Sequence, residues 1–66
     1  MDLKIKCDIC GKPELDEFVD GVMTIGKWAN MCMRCWGISG IGRLGTGLGQ
    51  RYVWHENARK YTKVEG

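Results

Sequence analysis

The 66-residue sequence has no run of about 18 apolar residues, so no segment of it is long enough to span a bilayer as a helix. Its start, Met1-Asp2-Leu3-Lys4, lacks the cationic and then apolar order of a secretory leader, which makes a cytoplasmic location the expectation. Histidine occurs once, as His55, with no partner in the pattern to make a catalytic pair; it reads as a turn residue or an adventitious metal ligand. Charge of either sign is not in large excess, the formal net charge being +2. Length is also short. A chain of this size buries only about 60% of the surface its unfolded form exposes, which excludes a large enzyme with a deep cleft. What is present is 44% apolar residues, three tryptophans and four cysteines, a composition that folds and supplies its own staple.

The cysteines stand as Cys7-x-x-Cys10, then 21 residues, then Cys32-x-x-Cys35. Two intervening residues let one tight turn aim both sulfurs at a single ion, and the segment between the pairs has only to go out and return. Two such pairs fit one tetrahedral four-thiolate zinc site with Cys7, Cys10, Cys32 and Cys35 as ligands. Gly11 follows Cys10 directly and supplies the positive φ of a metal knuckle. Three other uses of four cysteines compete with this one. Two disulfides are disfavoured because cytosolic thiols stay reduced. A dithiol redox centre needs one pair inside a thioredoxin-like βαβ pattern, which neither pair has. Iron is chemically close, since four thiolates suit either metal, but the acidic balance associated with rubredoxin-like proteins is missing. A closed four-sulfur site leaves no open coordination position, so the expected role of one bound Zn2+ is to hold the fold.

Along the chain, Leu3-Lys4-Ile5-Lys6-Cys7 alternates and suggests a short strand into the first knuckle. In Glu17–Ile25, β-formers flank Asp20-Gly21, which predicts a hairpin with its two-residue turn at those positions and a bulge at Gly26. Asn30 is placed to cap a short helix that carries Cys32 and Cys35 on its first turn, with Gly37 able to end it. A helix start there also favours thiolates. Gln50–Trp54 and Arg59–Val64 read as a second hairpin turning at His55-Glu56-Asn57-Ala58.

The predicted fold is therefore a small metal-stabilised α+β domain covering residues 1–66. Its order is zinc knuckle, β-hairpin, short helix with the second cysteine pair, glycine-rich loop and C-terminal β-hairpin. Cys7, Cys10, Gly11, the Asp20-Gly21 hairpin, Cys32 and Cys35 together resemble the treble-clef zinc fold, with the zinc ribbon as near neighbour. That resemblance implies an architecture used by ribosomal proteins, transcription factors, nucleases and protein adaptors, and not one activity. Trp28–Cys32 and Leu44–Tyr52 also look like parts of small phage-encoded proteins, a likeness that brings no activity with it.

Gly37, Gly40, Gly42, Gly45, Gly47 and Gly49 put six of the ten glycines in thirteen residues. Gly40–Gly45 formally matches GxGxxG, but the strand, helix and βαβ unit that a dinucleotide site requires do not fit in this length. Two readings stand: a linker whose glycines allow close packing under the tryptophans, and a loop of N–H groups flanked by Arg43 and Arg51 that cradles an anion.

Charge divides unevenly. Residues 1–33 sum to −2 and residues 34–66 to +4, while four thiolates with one divalent ion bring the loaded protein to neutrality. Arg43, Arg51, Tyr52, Trp54, Arg59, Lys60 and Lys63 are the candidate partner-contacting residues, since aromatics interleaved with cations suit bases and phosphates. The same pattern also serves as one covered side of a small sheet. The expected function is binding without catalysis. The partner is nucleic acid or a protein of the nucleic-acid machinery, or, alternatively, a host protein on which a phage-type inhibitor or adaptor docks. A monomer or weak dimer is expected, since Trp28, Trp36 and Trp54 suit either a core or an interface.

Overall fold

The computed structural model describes residues 4–66. In chain order these form strand β1 (Glu17–Val22), strand β2 (Trp28–Met31), helix α1 (Met33–Ser39), strand β3 (Gly49–His55) and strand β4 (Lys60–Glu65). The strands make one antiparallel sheet in the order β2-β1-β3-β4, so the two sequence-local hairpins are joined by β1 pairing with β3. Helix α1 packs on β1 and β2.

Asp20-Gly21 is not a turn. Both residues lie inside β1, with Asp20 opposite Asn30 and Gln50, and Gly21 opposite Ala29 and Gly49. The turn falls further on, where the Met23 N–H donates to the Lys27 carbonyl at 2.7 Å and the Gly26 N–H to that of Met23 at 2.8 Å. Gly26 takes φ 89° and is a turn glycine, not a bulge. Gly21 is required for another reason. The Trp36 indole stands over it, and a Cβ there would lie 2.7 Å from Trp36 Cζ3. At Gly40 a Cβ would overlap Trp36 Cε3, and at Gly49 it would sit 3.3 Å from Cη2. Glycines from β1, the helix end and β3 thus form a slot for one tryptophan, which is buried with Val19 and Met31 in the core. Close packing is the observed use of these three glycines.

Three further expectations are corrected. Residues 4–7 are not a strand, and Leu3 of that expected strand lies outside the described residues. The helix cap is Cys32 and not Asn30, because Asn30 is paired inside β2. Gly37 lies within the helix, which ends instead at Gly40, whose N–H donates to the Trp36 carbonyl at 3.0 Å.

Alternation in the strands puts Phe18, Tyr52, Trp54 and Tyr61 on the sheet face opposite Val19 and Gly21. Phe18 stacks on Tyr52 with ring centroids 5.0 Å apart and meets the edge of Tyr61 at 4.8 Å. The knuckle segment is tied to this face by the Tyr61 hydroxyl. It accepts the Ile5 N–H at 3.0 Å and donates to the Leu15 carbonyl at 2.7 Å. The Leu15 N–H closes the segment on itself by donating to the Ile5 carbonyl at 3.0 Å. The first cysteine pair is thereby held against the sheet.

Candidate metal centre

Two local structures present the sulfurs. The knuckle turns because the Gly11 N–H donates to the Cys7 carbonyl at 3.0 Å with Gly11 at φ 78°, while the Cys7 N–H reaches the Lys12 carbonyl at 2.9 Å. The helix start places Cys32 at the cap and Cys35 one turn inward, the Trp36 N–H donating to the Cys32 carbonyl at 2.9 Å. Asp8 joins the two halves. Its N–H donates to the Asn30 carbonyl at 2.8 Å, and its carboxylate accepts the Asn30 N–H at 2.9 Å. The sequence reasoning missed this bridge, whose only trace is an aspartate inside the first cysteine pair.

The four sulfurs of Cys7, Cys10, Cys32 and Cys35 all lie within 4.8 Å of one another, so they are placed to hold a metal ion. A tetrahedron with metal–sulfur bonds of about 2.3 Å has edges of about 3.8 Å. The Cys10–Cys32 pair, at 3.9 Å, already matches such an edge. Cys7, Cys32 and Cys35 are buried and Cys10 is exposed. The fit is one of chemistry as well as of distance.

Burial opposes a charge on Cys7, but the N–H groups of Cys10, Cys32 and Ile9 outweigh it and hold the thiol at about 6. The Cys10 and Cys32 N–H groups lie 3.5 Å and 3.4 Å from its sulfur. Burial, followed by contact with the Cys32, Cys7 and Cys10 sulfurs, pushes Cys35 up to about 12. One sulfur is thus prepared as an anion while another resists ionising beside it. A divalent cation at their centre removes that conflict, because it neutralises the crowded charge.

A cleft of about 360 Å³ opens beside the cluster, and Cys10, Cys32, Lys12, Glu14, Glu17 and Arg34 are among its lining residues.

The remaining candidate residues are not brought to one site. Arg51 is engaged by two carboxylates, Nη1 to Glu17 at 2.9 Å and Nε to Glu65 at 2.8 Å. Tyr52 is stacked on Phe18, and Trp54 meets the edge of Tyr61 at 5.0 Å while its Nε1–H donates to Glu56 at 3.2 Å. Arg59 and Lys60 are exposed at the β3–β4 turn, Lys63 is exposed further along edge strand β4, and Arg43 is exposed in the glycine loop. In that loop the N–H groups of Gly45, Leu48 and Gly49 donate to the loop's own carbonyls at 2.9 to 3.0 Å. His55 pairs with Lys60 across the turn, away from the cysteines in the sheet register.

The fold and the site define a small α+β chain with a four-cysteine centre able to hold a metal ion. No protein-family model matches the chain, and no curated protein or solved structure matches it either. No helix among the described residues is long and apolar enough to cross a membrane.

Proposed function

We propose that this chain is a zinc-stabilised binding module of the treble-clef type, not a catalyst, and that it contacts nucleic acid through the basic rim of its C-terminal hairpin. The observation that carries the metal part is the four sulfurs within 4.8 Å of one another, presented by a knuckle and a helix start on either side of a hairpin. Four thiolates leave no coordination position for a substrate, so the ion's role is structural. Iron would fit the same four sulfurs, and a colourless, zinc-containing protein separates the two metals. For the partner, the support is the exposure of Arg59, Lys60 and Lys63 on an edge strand and its turn. Arg51 is left out of the contact set because Glu17 and Glu65 already engage it.

The test is fluorescence anisotropy of labelled single-stranded and duplex oligonucleotides with the zinc-loaded chain. On duplex, three phosphate contacts give a salt slope of about −2.7, so affinity should fall roughly 40-fold between about 50 and 200 mM salt, and less steeply on single strands. Absence of binding at the low-salt end removes nucleic acid as the partner.

A second reading, docking on a host protein as an adaptor or inhibitor does, is supported by exposed apolar residues. Ile25 is 72% exposed, Ile38 71% and Trp28 49%. The Thr24 N–H donates to the Ser39 carbonyl at 2.9 Å, which brings the turn bearing Ile25 to the helix end bearing Ile38. Such side chains are favoured at protein contacts and contribute nothing to phosphate binding. Retention of a protein partner at high salt, lost in Ile25→Glu/Ile38→Glu, is the result this reading expects.

A further inference from the structure

The four sulfurs are not equivalent in their access to solvent. Cys7, Cys32 and Cys35 are buried while Cys10 is exposed. The 360 Å³ cleft reaches Cys10 and Cys32 and is not lined by Cys7 or Cys35. These two sulfurs come from opposite halves of the site and stand 3.9 Å apart. Cys7, by contrast, has the N–H groups of Cys10 and Cys32 directed at its sulfur, and it is 1% exposed. A reagent arriving from solvent therefore meets Cys10 first and finds Cys32 3.9 Å away, lining the same cleft.

We propose that Cys10 and Cys32 form an oxidation site, at which a hydroperoxide entering through the cleft converts the two thiolates to a disulfide and ejects the metal. This inference rests on the metal-binding reading above and adds to it a defined reactive pair. In the first step the Cys10 sulfur attacks the terminal peroxide oxygen. An S–O bond forms, the O–O bond breaks and, with hydrogen peroxide, one water leaves after protonation. In the second step the Cys32 sulfur attacks the Cys10 sulfur. The S–S bond forms, the S–O bond breaks and a second water leaves. Two electrons pass from the sulfurs to the peroxide and two protons are consumed. Only Cys7 and Cys35 would then remain to hold the ion, half of the ligand set, too few to keep it bound. The new bond ties the knuckle to the helix start, across the same seam that the Asp8–Asn30 hydrogen bonds span.

The test uses the full chain loaded with zinc, treated with hydrogen peroxide. Released zinc is read with a chromophoric chelator, and the disulfide is mapped on unreduced tryptic peptides. Cleavage after Arg34 puts Cys32 and Cys35 on different peptides, and fragmentation of the linked peptide between Cys7 and Cys10, which share one tryptic peptide, tells those two apart. The expected result is one zinc released per Cys10–Cys32 disulfide formed, reversed by dithiothreitol and added zinc. A brief pulse of N-ethylmaleimide on the loaded protein should mark Cys10 first. Cys10→His, which keeps a ligand nitrogen but has no oxidisable sulfur, should hold zinc in peroxide. Should that variant fail to fold, the disulfide map and the alkylation order of the unaltered chain decide the matter. Zinc retained in excess peroxide, or release accompanied by Cys7–Cys10 or Cys32–Cys35 bonds, overturns the oxidation site and leaves the metal reading intact. A purified, reduced chain that takes up no zinc overturns both.

Discussion

Replacing Gly21 by alanine tests the glycine slot directly, because the added atom has a known destination. An alanine Cβ would lie 2.7 Å from Trp36 Cζ3 and 3.0 Å from both Trp36 Cη2 and Val19 Cγ1. Carbon atoms rest at about 3.5–4.0 Å, so close to an ångström must be recovered. The indole has little room to retreat, since Gly40 lies close to the same ring and Val19 is fully buried. Overpacking of this kind costs about 1–3 kcal/mol. Alanine also restricts the unfolded chain, which offsets about 0.5–1 kcal/mol. Taking the middle of each range, the net expectation is a loss of about 1 kcal/mol, or roughly 4–8 °C in Tm for a chain of this length. The assay is thermal and urea denaturation at fixed free zinc, followed by tryptophan fluorescence. In a Trp36→Leu background the obstacle is smaller, so Gly21→Ala should cost less there than in the unaltered chain. A neutral or stabilising Gly21→Ala refutes the slot. An equal cost in both backgrounds refutes the assignment of that cost to Trp36.

Cys7→Ser removes a buried ligand, and since structural zinc contributes about 10–16 kcal/mol in comparable sites, the variant should not fold; a cooperative melt like that of the unaltered chain contradicts the prediction. Tyr61→Phe deletes the hydroxyl that serves both Ile5 and Leu15, with an expected loss of about 1–3 kcal/mol by denaturation and faster zinc transfer to a competing chelator. Acid should act through the cysteines. The folded chain lowers Cys7 from 9.0 to about 6, so its contribution is present above the ordinary value and lost as pH falls through the lowered one. The fluorescence-monitored stability of the metal-free chain should fall between about pH 9 and about pH 6, and a stability unchanged over that range contradicts the account. Arg51→Ala should leave any oligonucleotide affinity nearly unchanged because two carboxylates already engage this residue, whereas Lys60→Ala should weaken it; the reverse order in anisotropy titrations would displace the proposed surface.

The sequence alone determined those features whose cause is local. Two residues between paired cysteines and a glycine after the second are enough to specify a knuckle, because the turn that aims the sulfurs closes within five residues. The C-terminal hairpin was legible for the same reason, its β-forming runs being separated by a short polar turn that closes with Arg59 N–H on the His55 carbonyl at 2.7 Å. Aspartate-glycine between β-formers has the local chemistry of a turn, and nothing nearby in the chain says otherwise. What overrides it is Trp36, fifteen residues on, whose ring needs a strand position without a side chain. Arg51 likewise reads as a free cation until strand pairing sets it beside Glu17 and Glu65. Tyr61 becomes the clamp of the knuckle only because β4 brings it to Ile5 and Leu15, 56 and 46 residues away. The ligand set was thus written in spacing along the chain, whereas the choice between turn and strand, between free and paired charge, and between buried and exposed sulfur was made by contacts between distant residues. Such contacts exist only in the folded chain, where Trp36 is buried and the four sulfurs lie together.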